Sequence, residues 1–154
     1  MHCPETPVRM SLVIAFADIA GFAKHAAKLE DEEVFAWMNA FYGRVETAVS
    51  AADGRVVKYI GDAVLMVFPG DRAAGAVQCL AELRNETNAW LADVAPDTSL
   101  GVKAHLGEPI AGLIGSGENR RFDVLGNAVN DTARLKGHGL ILSETLRRAI
   151  DADV

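Results

Sequence analysis

The segment RVVKYIGDAVLMVF constrains the fold more than any other part of this chain. Two runs rich in β-branched and large apolar residues, Arg55 to Ile60 and Ala63 to Phe68, flank the dipeptide Gly61-Asp62. A glycine-bearing two-residue connection between such runs predicts two short strands around a tight turn. An earlier run, Leu12 to Ala17, is too short and too β-rich for a helix and reads as a buried strand. Asp18 stands at its C-terminal end, and Gly21 allows a sharp change of direction.

Between these strands the pattern is helical. From Glu30 to about Ala52, Val34, Trp37, Met38, Phe41, Tyr42, Val45 and Val49 recur at steps of three and four. That stripe reads as core packing, and Asp53-Gly54 is its turn signal. A second helical region runs from Asp71, a candidate cap, to about Asp93, with Ala74, Val77, Leu80, Leu83, Trp90 and Leu91 as its stripe. Strands are expected over Leu100 to Leu106, Ile110 to Ile114 and Phe122 to Leu125, with GSGENRR as a polar tip. A short helix from Asn127 to Leu135, a strand from Gly139 to Leu142 and a last helix capped by Ser143 complete the chain. This order predicts an α+β sandwich, a mainly antiparallel sheet with both long helices on one face, rather than a doubly wound sheet.

Length and charge narrow the function classes. At 154 residues the chain is one ordinary domain, with residues 1–10 read as a flexible leader and 11–154 as the folded unit. Fifteen basic against 21 acidic residues, a formal net charge of -6, argue against a nucleic-acid partner. No apolar run approaches a membrane span, and the start lacks a signal-peptide pattern. Cys3 and Cys79 force no disulfide, so a reducing, cytoplasmic setting is expected.

Asp18 and Asp62 form the chemically informative pair. Each alone reads as a turn or cap residue. Neighbouring strands could nevertheless bring both carboxylates to one sheet edge, where a divalent cation would relieve their repulsion. The Ile19 carbonyl could add a hard oxygen ligand, and Gly21 and Gly61 would let the backbone approach phosphate oxygens. No Walker-type GxxxxGK[ST] loop is present. His25, His105 and His138 lack a closed zinc spacing, and Ser143 lacks the setting of a nucleophile. Lys24 and Lys28 read as a solvated face.

The pieces FADIAGF, KYIGDAVLMVF, GEPIAGLIG and FDVLGNAVNDTARL occur in this order between Leu12 and Leu135. Together they resemble the catalytic domain of class III nucleotidyl cyclases. The resemblance implies a ferredoxin-like α+β domain working as a head-to-tail homodimer, with two active sites in the interface. It implies that Asp18, Ile19 and Asp62 bind two Mg2+ or Mn2+ ions around a nucleoside triphosphate. The ribose 3'-hydroxyl would then attack the α-phosphorus in line, giving a 3',5'-cyclic nucleotide and pyrophosphate. Lys58 and Asp123 fall on the purine-selecting positions, where a Lys/Asp pair implies ATP and an adenylate cyclase. Asn130 and Arg134 match the positions that orient the ribose and stabilise the transition state. Their i,i+4 spacing puts both on one helix face.

The resemblance also sets contrary expectations. Family members usually carry a longer segment where LKGHG joins the short helix to the next strand. They continue into a strand pair whose turn supplies a phosphate-binding lysine, and the given sequence ends at Val154 before it. Lys136 does not fit that role; Arg120 or Arg121 could supply the charge. The alternatives are therefore a weakly active or inactive nucleotide-binding or regulatory dimerisation module, or a chain that completes a heterodimer with another cyclase.

Overall fold

The computed structural model describes residues 1–152, so the last two positions of the 11–154 unit lie outside the described residues. The chain runs β1 (Val8–Arg9), β2 (Leu12–Ala20), α1 (Phe22–Ala26), α2 (Asp31–Ala51), β3 (Arg55–Ile60), β4 (Ala63–Pro69) and α3 (Ala73–Val94). It continues through β5 (Ser99–Gly107), β6 (Ile110–Ile114), β7 (Arg121–Leu125), α4 (Asn127–Arg134), β8 (Leu140–Leu142) and α5 (Glu144–Ala152). The main sheet has five strands in the order β3-β4-β2-β5-β8, antiparallel except where β8 joins β5. A smaller sheet, β1-β6-β7, lies beside it.

Strand β2 is apolar from Leu12 to Ala17 because both of its faces are covered there. Val13, Ala15, Ala17 and Ile19 pack with Val64, Met66 and Phe68 of β4 into the cluster beneath α2 and α3. Leu12 and Ile14 point the other way, onto Leu65, Val67, Ala111, Phe122 and Val124. Burying each large aliphatic side chain contributes roughly 1.5–3 kcal/mol, so this double-sided strand is the sheet's main anchor. Helix α2 buries Met38, Phe41, Val45 and Val49, and α3 buries Leu80, Leu83 and Leu91. Trp37 stacks between Phe22 and Trp90, with centroids 5.5 and 5.8 Å away. The mainly antiparallel α+β architecture with long helices on one face is therefore as expected.

Two local expectations are corrected. The stretch 1–10 is not wholly a loose leader, because Val8 and Arg9 pair with Ala111 and Ile110, and Met1, Cys3 and Met10 pack on the second cluster. Asp71 does not cap the third helix. Gly70–Arg72 forms a single 3-10 turn first, and α3 starts at Ala73 with Ala73 and Ala76 inward where Ala74 was expected. The opposite sheet face is covered in part by β6, β7 and α4.

Candidate active site

Strand pairing brings the two aspartates together. Asp18 is aligned with Ala63 of β4 on one side and Gly101 of β5 on the other. Asp62 immediately precedes Ala63, and its backbone carbonyl accepts a hydrogen bond from the Ile19 N–H at 3.3 Å. Gly61 takes φ +61° to close the two-residue loop, a conformation that costs glycine nothing. Alternation along β2 puts Asp18 on the face away from the long helices, and Ile19 buries its side chain in the core, leaving only its main chain as a donor.

Neither aspartate has an ion-pair partner among the described residues. No group of three or more His, Cys, Asp and Glu side chains converges as a metal cage among them either. Two carboxylates and a main-chain carbonyl are hard oxygen donors, too few to enclose an ion. That set fits Mg2+ or Mn2+, which complete their coordination with water and phosphate oxygens rather than with protein alone.

Tyr42 was read only as part of the α2 stripe, yet it braces this turn. Its hydroxyl donates to the Gly61 carbonyl, and its ring stacks on Tyr59 with centroids 3.9 Å apart. Burial, and then the negative charge of Asp62, raise its phenol above the usual tyrosine range. The only signal in the sequence was a hydroxyl on an otherwise apolar stripe.

Lys58 and Asp123 meet across the two sheets. The register of β3 on β4 shifts between Val56 and Lys58, and this bulge sets Lys58 opposite Leu65, on the face that β7 covers. Lys58 Nζ lies 3.0 Å from Asp123 Oδ2, while Asp123 Oδ1 accepts the Val124 N–H at 2.8 Å. The lysine side chain is 45% exposed and the aspartate 18%, so a ligand can still reach the pair.

Asn130 and Arg134 project from α4, both exposed. The helix is seated by Ala128 and Val129 against the second cluster and by buried Thr132, whose hydroxyl donates to the Ala128 carbonyl at 2.7 Å. Arg134 is 76% exposed and has only Asp131 within reach, at 3.6 Å. No hydrogen bond or ion pair among the described residues joins the aspartate edge, the Lys58–Asp123 pair and the α4 residues.

The remaining polar candidates have ordinary partners. His25 packs 5.4 Å from the Trp37 ring, and His105 Nδ1 lies 2.8 Å from Ser143 Oγ. Ser143 caps α5, accepting the Leu146 N–H at 3.3 Å. Lys28 pairs with Asp97 at 3.4 Å. A pocket of about 130 Å3 borders Asp18, lined also by Gly101, Lys103, Leu135 and Gly139.

Comparison with known proteins identifies the family. The profile of the adenylate and guanylate cyclase catalytic domain matches residues 7–143. An adenylate cyclase of Anabaena cylindrica is 28% identical over 134 residues, 82% of this chain and 27% of that protein. Adenylate cyclase 2 of Rhizobium meliloti (strain 1021) is 28% identical over 151 residues, 94% of this chain and 40% of that protein. The chain thus spans well under half the length of these relatives. A solved guanylyl cyclase superposes with a TM-score of 0.83 at 26% identity, covering 94% of this chain and 80% of that one. No described helix is long and apolar enough to cross a membrane. Since the profile spans residues 7–143, most of the chain, the chain belongs to the adenylate and guanylate cyclase catalytic-domain family, the class III nucleotidyl cyclases.

Proposed function

We propose that the chain is an adenylate cyclase domain that converts ATP to 3',5'-cyclic AMP and pyrophosphate in a head-to-tail homodimer. The observation that carries the choice of ATP is the Lys58–Asp123 contact at 3.0 Å. A lysine donates and a carboxylate accepts, which suits N1 and the amino group of adenine. Guanine presents the opposite pattern, a donor at N1 and an acceptor at O6, and would leave both groups mismatched. When bound, two Mg2+ or Mn2+ ions held by Asp18, Asp62 and the Ile19 carbonyl supply positive charge for the triphosphate and the ribose 3'-oxygen.

This chain's own residues do the rest. Asn130 orients the ribose so that its 3'-oxygen faces the α-phosphorus, opposite the bridging oxygen of the pyrophosphate. As that P–O bond breaks, Arg134 donates to the α-phosphoryl oxygens, where negative charge grows. Two features favour a second chain over the site. A guanidinium that is 76% exposed stabilises charge weakly until another surface excludes water. The pocket at Asp18, about 130 Å3, is also smaller than the roughly 300–1,000 Å3 that ligand clefts need. A heterodimer with another cyclase chain would meet the same requirement.

The test is product formation from ATP and from GTP by the purified protein with Mg2+ or Mn2+, across a range of protein concentrations. Cyclic AMP with a rate per chain that rises with concentration is expected. Absence of any cyclic nucleotide would leave a binding or regulatory module as the better reading, and cyclic GMP alone would overturn the choice of base.

A further inference from the structure

Lys103 is a lone lysine in a strand, a position that ordinarily means a solvated side chain. Here it is half-buried. On β5 it is in register with Phe16 of β2 and Ile141 of β8, and it shares a sheet face with Asp18, which pairs with Gly101 two residues away. Its ammonium is turned onto α4. Nζ donates to the Ala133 carbonyl at 2.6 Å and reaches the Leu135 carbonyl at 3.4 Å.

These two carbonyls flank Arg134. Carbonyls in the last turn of a helix lack intrahelical partners, and a cation there also complements the helix dipole. Leu135 is where the chain leaves the helix, with ψ 136°. Among the described residues the one ion pair or hydrogen bond of the Arg134 side chain is to Asp131, at 3.6 Å, so its placement depends on the backbone at this turn.

We infer that Lys103 is a positioning residue that pins the Arg134 turn to the strand ladder carrying Asp18. This inference rests on the cyclase reading given above. In a head-to-tail dimer Arg134 and Asp18 of one chain serve different sites, so Lys103 fixes the spacing between the two half-sites that each chain contributes. Displacement of a reacting group by about 1 Å can cost up to roughly a hundred-fold in rate, which makes such a tether consequential.

The experiment compares wild type, K103M, K103R, R134A and K103M/R134A with ATP and Mn2+. K103M is expected to lower kcat about ten-fold with KM within about two-fold, the pattern of a lost transition-state contact. K103R is expected to restore most of that loss. In the R134A background K103M is expected to cost less than about two-fold, because residues acting through one another are non-additive. Unchanged kcat in K103M, or an equal loss in both backgrounds, would overturn the inference.

A second readout does not depend on turnover. Amide hydrogen exchange over residues 130–139 is expected to quicken about ten-fold in K103M while β2 and β5 keep their protection. Exchange there equal to wild type would also overturn the inference. A wild-type protein that makes no cyclic nucleotide would count against the cyclase reading alone, with exchange then deciding the tether. Should K103M fail to fold, K103A, which also removes the donor to the Ala133 carbonyl, takes its place in both measurements.

Discussion

The two charged pairs of the candidate site are held in opposite ways. Asp18, on β2, and Asp62, in the loop that enters β4, are like charges brought together by the β2–β4 ladder, with no ion-pair partner among the described residues. Lys58 and Asp123 are opposite charges on different sheets, brought together by long-range packing and already satisfied by each other. The first pair has free coordinating capacity. On the proposed reading, the second exchanges its internal contact for a base. On that reading one edge serves a cation, the other discrimination.

Asp62→Ala gives the sharpest way to break that contrast. On the proposed reading Asp62 helps hold the ions, and removing its carboxylate is expected to lower cyclase turnover by at least about a hundred-fold. Because Asp62 has no ion-pair partner among the described residues to lose, the melting temperature of the metal-free protein should stay level. A normal rate with a clearly lower melting temperature would show that Asp62 only shapes the turn. Arg134→Ala comes next, with an expected loss of about ten- to a hundred-fold in kcat and little change in melting, since the side chain is 76% exposed. Unchanged kcat would place the transition-state charge elsewhere.

The Lys58–Asp123 side is tested by selectivity rather than by rate. Lys58→Glu combined with Asp123→Cys is expected to shift the ATP/GTP ratio of kcat/KM toward GTP by about ten-fold or more. Asp123→Ala alone should also lower stability modestly, by up to about 1 kcal/mol after allowing for solvent screening of a lysine that is 45% exposed. A double variant with the wild-type ratio would contradict the assignment of this pair to base reading.

The two regions also differ in how far the amino-acid order reveals them. The aspartate edge was largely legible, because a buried apolar run ending in Asp18 and a Gly61-Asp62 loop define adjacent strands. The Lys58–Asp123 contact spans 65 positions and depends on a bulge after Val56, so no local spacing announces it. It was expected only through the resemblance of the surrounding motifs. The small sheet was missed in part because β1 is two residues long, too short for any periodicity. Lys103 was missed for another reason: its acceptors are main-chain carbonyls, which leave no side-chain signature in a sequence.

The smallest expected effect concerns the brace behind the aspartate edge. Tyr42 donates to the Gly61 carbonyl, and burial together with the charge of Asp62 raises its phenol above the usual range. A raised folded value means the neutral phenol is favoured in the native state more than in the unfolded chain. Its contribution is therefore fully present below about pH 10, the ordinary tyrosine value, and is lost as pH rises through the folded value. Tyr59 has its phenol raised as well, by burial and by its hydrogen bond to Glu46, so both tyrosines act in the same direction. Melting curves from about pH 8 to about pH 11 should therefore fall less steeply in Tyr42→Phe than in wild type. With ATP near neutral pH, the same variant should lose no more than about three-fold in kcat, because the turn keeps its ladder and loses one hydrogen bond. Equal alkaline slopes in the two proteins would contradict a phenol raised by its burial beside Asp62.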